Sequence, residues 1–248
     1  MLTDTEGIVL KQIKTSYNRR MILLLSRKYG KISAGTSIGE KGRSRSSLAL
    51  RPFTYGRYEL YSGRSGYNIN SAEALKSYYR IGEDVDKYMN GAYILEYTEK
   101  ILPDELPVPG MLDLLAEFFS VLENRQRGIG TLVLAYQTKT FRLCGVMPQL
   151  DVCVSCGEKK EPYKFSIEDG GILCRGCWTN LQKSSHSELI YDIEFGIVDI
   201  LKYFTFNSLK KLENLALKEE AGKLLQTIIR AYAAYYLDAS DLKSEKMV

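Results

Sequence analysis

Four of the five cysteines fall in two pairs of equal spacing, Cys153-Val154-Ser155-Cys156 and Cys174-Arg175-Gly176-Cys177, with 17 residues between the pairs. No other feature limits the fold as tightly. A C-x2-C turn puts two sulfurs on one side of a tetrahedral ion, and a second such turn about 15–20 residues on supplies the opposite side. The expected ligand set is therefore Cys153, Cys156, Cys174 and Cys177 around zinc, with a pair of redox dithiols as the rival reading. Four thiolates leave no position open to water, so the expected metal is structural. Gly157 and Gly176 suit the tight backbone of such knuckles. Tyr163-Lys164-Phe165-Ser166 and Gly171-Ile172-Leu173 read as a hairpin holding the two turns together. Cys144 lies outside the pattern, in a helical context, and reads as a small buried apolar residue.

The 248 residues carry 34 Lys+Arg, 30 Asp+Glu and a net charge of +4. The charge is segregated. Residues 1–80 hold 15 basic and 5 acidic residues (net +10), whereas residues 81–152 hold 6 and 11 (net −5). Such asymmetry points to a polyanion partner for the first segment, a solvated basic face being the bland alternative. An apolar fraction of 45% and a charged fraction of 26% are those of a globular chain with a real core. No apolar run is long enough to span a membrane. The polar start, Met1-Leu2-Thr3-Asp4-Thr5-Glu6, is unlike a signal peptide, so the expected compartment is the cytoplasm. The single histidine, His186, removes most histidine-based catalysis.

Residues 6–70 read as five short strands: Gly7–Ile13, Arg20–Ser26, Ile32–Thr36, Pro52–Tyr61 and Tyr67–Asn70. Tyr29-Gly30-Lys31 and Ser62–Gly66 read as turns. This suits a small closed β-barrel, whose closure removes exposed edges. The segment Gly39–Ser47 is rich in glycine, serine and arginine and reads as a mobile loop. Helical texture is expected from Ser71, read as a cap, and then over 84–101, 111–123 and 129–144. Ser185 with Glu188 has capping-box spacing ahead of a helical stretch through Phe206, and a last long helix is expected over 209–237. The fold class is therefore α+β, divided into 1–70 (barrel), 71–148 (helical, first part), 149–182 (zinc element) and 183–248 (helical, second part).

Several motifs together resemble the RecO family of bacterial recombination mediators. They are Gly7-Ile8-Val9-Leu10, the run through Leu25-Ser26 into Tyr29-Gly30-Lys31, and the basic loop ahead of Arg51-Pro52-Phe53. Phe141–Pro148 leading into Cys153-Val154-Ser155-Cys156-Gly157, then Gly170–Cys177, match its zinc-bearing branch, and Leu242-Lys243-Ser244 looks like its closing segment. Tyr17-Asn18-Arg19-Arg20 departs from the family's frequent acidic residue after the tyrosine. The resemblance implies an OB-fold barrel, a helical domain and a zinc element inserted between helices. It also implies binding of single- and double-stranded DNA, annealing of complementary strands, and partnership with RecR and with SSB in loading RecA at gaps, all at the nucleoid.

The cations expected to meet DNA are Arg19, Arg20, Arg27, Lys28, Lys31, Lys41, Arg43, Arg45, Arg51, Arg57 and Arg64, which would neutralise phosphates and release counterions. Alternation puts Phe53, Tyr55, Arg57, Glu59 and Tyr61 on one side of their strand and Tyr58 and Leu60 on the other; which side fills the barrel is left open. For the acidic, apolar-ended tail of SSB, Lys139 and Arg142 lie three apart on the helix 129–144, with Tyr136 as apolar wall. Two other function classes stand beside this one. The first is a zinc-knuckle module that binds only proteins. The second is a magnesium nuclease using Asp84, Asp86, Asp104 and Glu105, although these fall on a helix face and in a proline-rich loop where solvated charge is common. No nucleotide-binding or hydrolase motif occurs, and the chain is expected not to be an enzyme. His186 reads as a loop residue at a helix start.

Overall fold

The structure is a computed structural model that describes residues 1–14, 20–39, 44–63, 66–181, 189–194 and 196–247. By packing, the chain falls into two units, Met1–Arg125 with Leu242–Val248, and Gln126–Asp241.

The first unit is built on a closed five-stranded barrel, β1 (Leu2–Lys14), β2 (Arg20–Ser26), β3 (Gly30–Thr36), β4 (Thr54–Gly63) and β5 (Gly66–Ser77), in the order β1-β2-β3-β5-β4. The long β1 pairs antiparallel with β4 through its first half and with β2 through its second. β3 closes the circle by pairing parallel with β5. A closed Greek-key barrel of five strands is the OB-fold. The apolar alternation of the strands explains its filling: Val9, Ile22, Leu24, Tyr58 and Leu60 are fully buried inside it. Tyr58 and Leu60 thus face the interior, while Arg57 and Tyr61 face out. The Tyr58 hydroxyl donates to the Ala49 carbonyl at 2.6 Å, which anchors α1 (Arg45–Ala49), a single turn capped by the Ser44 hydroxyl, against the barrel. Part of the loop expected over 39–47 is therefore helix.

Two expectations are corrected here. Ser71 does not start a helix, because β5 continues to Ser77, seven residues past the expected end of the barrel at residue 70. Ala72 and Glu73 sit opposite Tyr58 and Arg57 of β4, so cross-strand pairing overrides the helix-forming composition of the segment. Pro52 and Phe53 precede β4 instead of opening it. Phe53 takes a left-handed backbone (φ 59°) and turns out of the strand alternation to meet Phe119 and Tyr88 edge-on at 5.3 and 5.7 Å. Gly91 makes room for it, since a Cβ there would lie 2.9 Å from the Phe53 ring.

After a 3-10 turn (Tyr79–Glu83), α2 (Val85–Ile101) and α3 (Met111–Asn124) complete the unit. Asp84 caps α2 by accepting from the Lys87 N–H at 3.0 Å. The apolar residues of α3 recur at helical spacing, and Met111, Leu115, Phe118, Phe119 and Leu122 are fully buried. Leu242 to Ser244 return to α2, where Glu96 accepts the N–H groups of Lys243 and Ser244 at 2.9 and 2.8 Å.

In the second unit α4 (Ile129–Leu143) packs on α6 (Ile197–Phe206) and α7 (Glu219–Leu237). The long helix expected over 209–237 begins only at Glu219; ahead of it lies a 3-10 turn, Lys210–Leu212. There Leu212 is buried and the Leu217 N–H donates to the Thr131 hydroxyl, which ties this stretch to α4. A three-stranded sheet, β7 (Gly171–Cys174), β6 (Pro162–Ser166) and β8 (Ile190–Asp192), carries the cysteine segment. Ser185 and His186 lie outside the described residues.

Candidate metal centre and nucleic-acid interface

The local sequence builds the cysteine site from two turns. The Gly157 N–H donates to the Cys153 carbonyl and the Cys153 N–H to the Glu158 carbonyl, closing the first knuckle. Gly157 takes φ 73° as the knuckle requires. The second pair opens α5 (Arg175–Leu181), with Cys174 ending β7 and Cys177 in the first turn. Gly176 sits in ordinary helical backbone with open space around it, so its expected conformational role is not used. Gly171 is the glycine that matters. A Cβ there would come within 2.4 Å of the Gln149 carbonyl, which accepts from the Ile172 N–H and so pins the chain ahead of the first knuckle to β7.

The four sulfurs lie within 4.8 Å of one another. Cys153 and Cys174 are buried, Cys177 is half-buried and Cys156 is exposed. Burial pushes the Cys153 thiol up, but donation from the N–H groups of Cys174, Cys156 and Ser155 outweighs it and brings the group down to about 6. The same N–H donors that favour the thiolate are those expected around a thiolate metal ligand. This donor set, four converging sulfurs with amides aimed at the one of Cys153, fits a closed tetrahedral ion. Cys144 is half-buried at the end of α4, and burial raises its thiol. Among the described residues no other group of three Cys, His, Asp or Glu converges. Of the four carboxylates considered for a nuclease, Asp84 is a helix cap and Asp104 pairs with Lys31 at 3.1 Å.

The barrel sorts the basic candidates. Arg20, Arg27 and Lys31 are engaged within the fold. Arg20 is 8% exposed and donates to the Ile38 carbonyl. Arg27 grips Asp113 of α3 through two bonds of 2.6 and 3.0 Å and donates a third to the Tyr55 hydroxyl; these bonds raise the guanidinium above its ordinary value, and Asp113 is lowered in turn. Lys31 donates to the Glu99 carbonyl at 2.8 Å. Lys28, Arg45, Arg51 and Arg57 are exposed. Arg45 pairs loosely with Glu73 at 3.6 Å, and Arg57 is flanked in register by Glu6 and Glu73. Arg19, Lys41, Arg43 and Arg64 lie outside the described residues.

Their attachment points are nevertheless fixed. Arg20 at the start of β2 pairs with Thr36 at the end of β3, and Thr36 pairs with Ile69 near the start of β5. Segment 64–65 leads into Gly66, which in the parallel β3–β5 pair falls beside the middle of β3, whereas 15–19 and 40–43 join the barrel at or near the Thr36 end. In OB-folds this end, with the face of strands 2 and 3, is where oligonucleotides bind.

In the second unit Lys139 and Arg142 do share a face. Lys139 donates to the Thr205 carbonyl at 3.4 Å and the Arg142 guanidinium stands 5.6 Å over the Phe206 ring. Tyr136 is fully buried and forms no surface. Three helical residues advance about 300°, so two such steps rotate Tyr136 about 120° from Arg142, into the core. The exposed apolar groups beside the cations are Phe206 (69%) and Tyr203 (46%), which sequence spacing along α4 had no means of finding.

Comparison with known proteins adds a separate line. The sequence profile described as Recombination protein O N terminal matches residues 1–78, and that described as Recombination protein O C terminal matches residues 82–246. The chain is 26% identical to the DNA repair protein RecO of Alkaliphilus metalliredigens, covering 98% of this chain and 97% of that one. It is 27% identical to the DNA repair protein RecO of Halalkalibacterium halodurans, covering 100% and 94%. With the protein of the same name from Exiguobacterium sibiricum the identity is 28%, over 95% and 92%.

Proposed function

Since the chain belongs to the RecO family of DNA repair proteins, we propose that it is a non-catalytic mediator that binds single- and double-stranded DNA and anneals complementary strands. With RecR it would help load RecA onto strands coated by SSB. The observation that carries this reading is the attachment of two basic segments, with Arg19, Lys41 and Arg43, at one end of an OB barrel. Phosphate contacts there hold a strand in any sequence, and contacts of that kind suit annealing, which must not read bases. The cysteine cluster is assigned to zinc, held by Cys153, Cys156, Cys174 and Cys177. Such an ion would fix the two knuckles to the β6–β7 hairpin and supply no open coordination position. Lys139 and Arg142 beside exposed Phe206 and Tyr203 offer two cations and an apolar surface to the acidic, apolar-ended SSB tail.

The test is a titration of single-stranded oligonucleotides at several salt concentrations. Replacing Lys41, Arg43 and Arg45 together by alanine should weaken binding for every sequence. It should also make the salt dependence shallower by roughly 2, at about 0.7 per phosphate contact. An unchanged slope removes this segment from the interface. No binding at low salt by the parent protein sinks the reading and leaves a protein-binding module.

A further inference from the structure

The first unit contains a cavity of about 980 Å³ lying outside the barrel core, between the second half of β1, the α1–β4 segment and α2. Its size is at the upper end of the roughly 300–1,000 Å³ of pockets that enclose small organic groups. Two backbone irregularities shape it. Leu10, at the β-bulge between Val9 and Lys11, lines one wall. Phe53 lines another and is held there in its left-handed conformation. Tyr79 and Tyr88 also line the cavity and remain 63% and 53% exposed.

The charge of the lining is uneven. It includes Lys11, Arg20, Arg51 and Lys243 against Glu96 and Glu99. Both carboxylates are already engaged, Glu96 by the amides of Lys243 and Ser244 and Glu99 by Lys11 at 3.1 Å. Among the described residues Arg51 and Lys243 meet no carboxylate, and the exposed Arg51 guanidinium has no partner of any kind. An apolar, aromatic chamber with uncompensated cations at its mouth is complementary to a planar apolar group carried on an anionic chain. An extended peptide is a poorer match, because β1 is hydrogen-bonded to β2 and β4 in a closed barrel and offers no free edge for main-chain pairing.

We propose that this cavity takes an unstacked base of single-stranded DNA, with a flanking phosphate on Arg51 and the neighbouring bases stacked on Tyr88 and Tyr79. The proposal rests on the DNA-binding reading above and gives that reading its strand preference, because a paired base would first have to leave its duplex.

Filling the cavity with Ala92→Trp, on the α2 wall, tests it. Thymidine oligonucleotides should bind the variant about tenfold more weakly at every salt concentration, with the salt slope unchanged and duplex affinity equal to the parent's. Arg51→Ala, an exposed change that leaves packing intact, should weaken single-strand binding and make the slope shallower by about 0.7. A parent that binds DNA, with an A92W variant that matches it on single strands, overturns the proposal and leaves the DNA reading standing. So does loss by A92W of an acidic, apolar-ended peptide but not of DNA, which would give the cavity to a peptide. If A92W does not fold, a Tyr88→Ala variant with undiminished single-strand affinity overturns it equally. No DNA binding by the parent removes both readings.

Discussion

Glu96 shows how much one side chain does when backbone amides are aimed at it. Burial pushes its carboxyl up. The Ser244 hydroxyl, the N–H groups of Ser244 and Lys243 and nearby Lys11 outweigh this and hold it below the ordinary range. A carboxyl that titrates lower folded than unfolded contributes fully above its unfolded value of about 4.3 and loses the contribution as pH falls through its folded value. The segment Lys243–Met247 should therefore stay docked at neutral pH and release only in acid, below about pH 4. Glu96→Ala should release it at any pH, at a cost of about 1 kcal/mol for a partly exposed charged acceptor. Amide exchange at Ser244 measures both; protection in the variant equal to the parent's would refute the clamp. Asp113, held low by Arg27, follows the same sign, so both groups erode the first unit from the acid side only.

At the scale of elements, the cysteine hairpin brings four sulfurs together that could hold a metal ion, and the zinc proposed for them would add to its stability. The purified protein should carry about one equivalent of zinc. Cys153→Ser or Cys174→Ser, each removing a buried sulfur, should bring the metal content close to zero and expose the β6–β7 hairpin to proteolysis, since metal binding and local folding are one equilibrium. Elemental analysis that finds a full equivalent in either variant would contradict the assignment. The spacing of these cysteines made the site legible from sequence, because ligand geometry is local. The strand β2 and the helices α2, α3 and α4 were legible for the same reason, their apolar periods being local, whereas β1 was legible only from Gly7 and its polar first half, from Leu2, was not. Where partners distant in sequence decide, the sequence misleads. Ser71–Ser77 has helix-forming composition and is a strand because β4 pairs with it along its length. Tyr136 has the spacing of a surface neighbour and is core. The cavity beside α2 needed a β-bulge, a left-handed phenylalanine and a returning C-terminal segment, none of which has a signature along the chain.

For the whole molecule, the segregation of charge noted in the sequence lies inside the first of the two units, because residues 81–125 hold 3 basic and 10 acidic residues and pack with the barrel. The first carries the basic barrel and the second carries Lys139, Arg142 and the exposed rings of α6. Lys139→Ala with Arg142→Ala should weaken binding of an SSB C-terminal peptide by about tenfold, the loss of roughly 1.4 kcal/mol from two cation–carboxylate pairs. Affinity for bare DNA should stay within about twofold, a difference of roughly 0.4 kcal/mol. Fluorescence titration with labelled peptide and labelled oligonucleotide separates the two effects. Equal peptide affinity for variant and parent would remove this surface from the interaction.

The path of the chain between these units carries a consequence for its synthesis. Residues 126–241 are made between the body of the first unit and the segment that completes it. The acceptor at Glu96 leaves the ribosome 148 residues ahead of its donor at Ser244, a delay of roughly 7–30 s at ordinary translation rates of about 5–20 residues per second. During that interval the nascent barrel has one cavity wall missing and an uncapped carboxylate on α2. A chain whose translation aborts anywhere in the second unit never acquires the part of the wall that Lys243 and Ser244 supply.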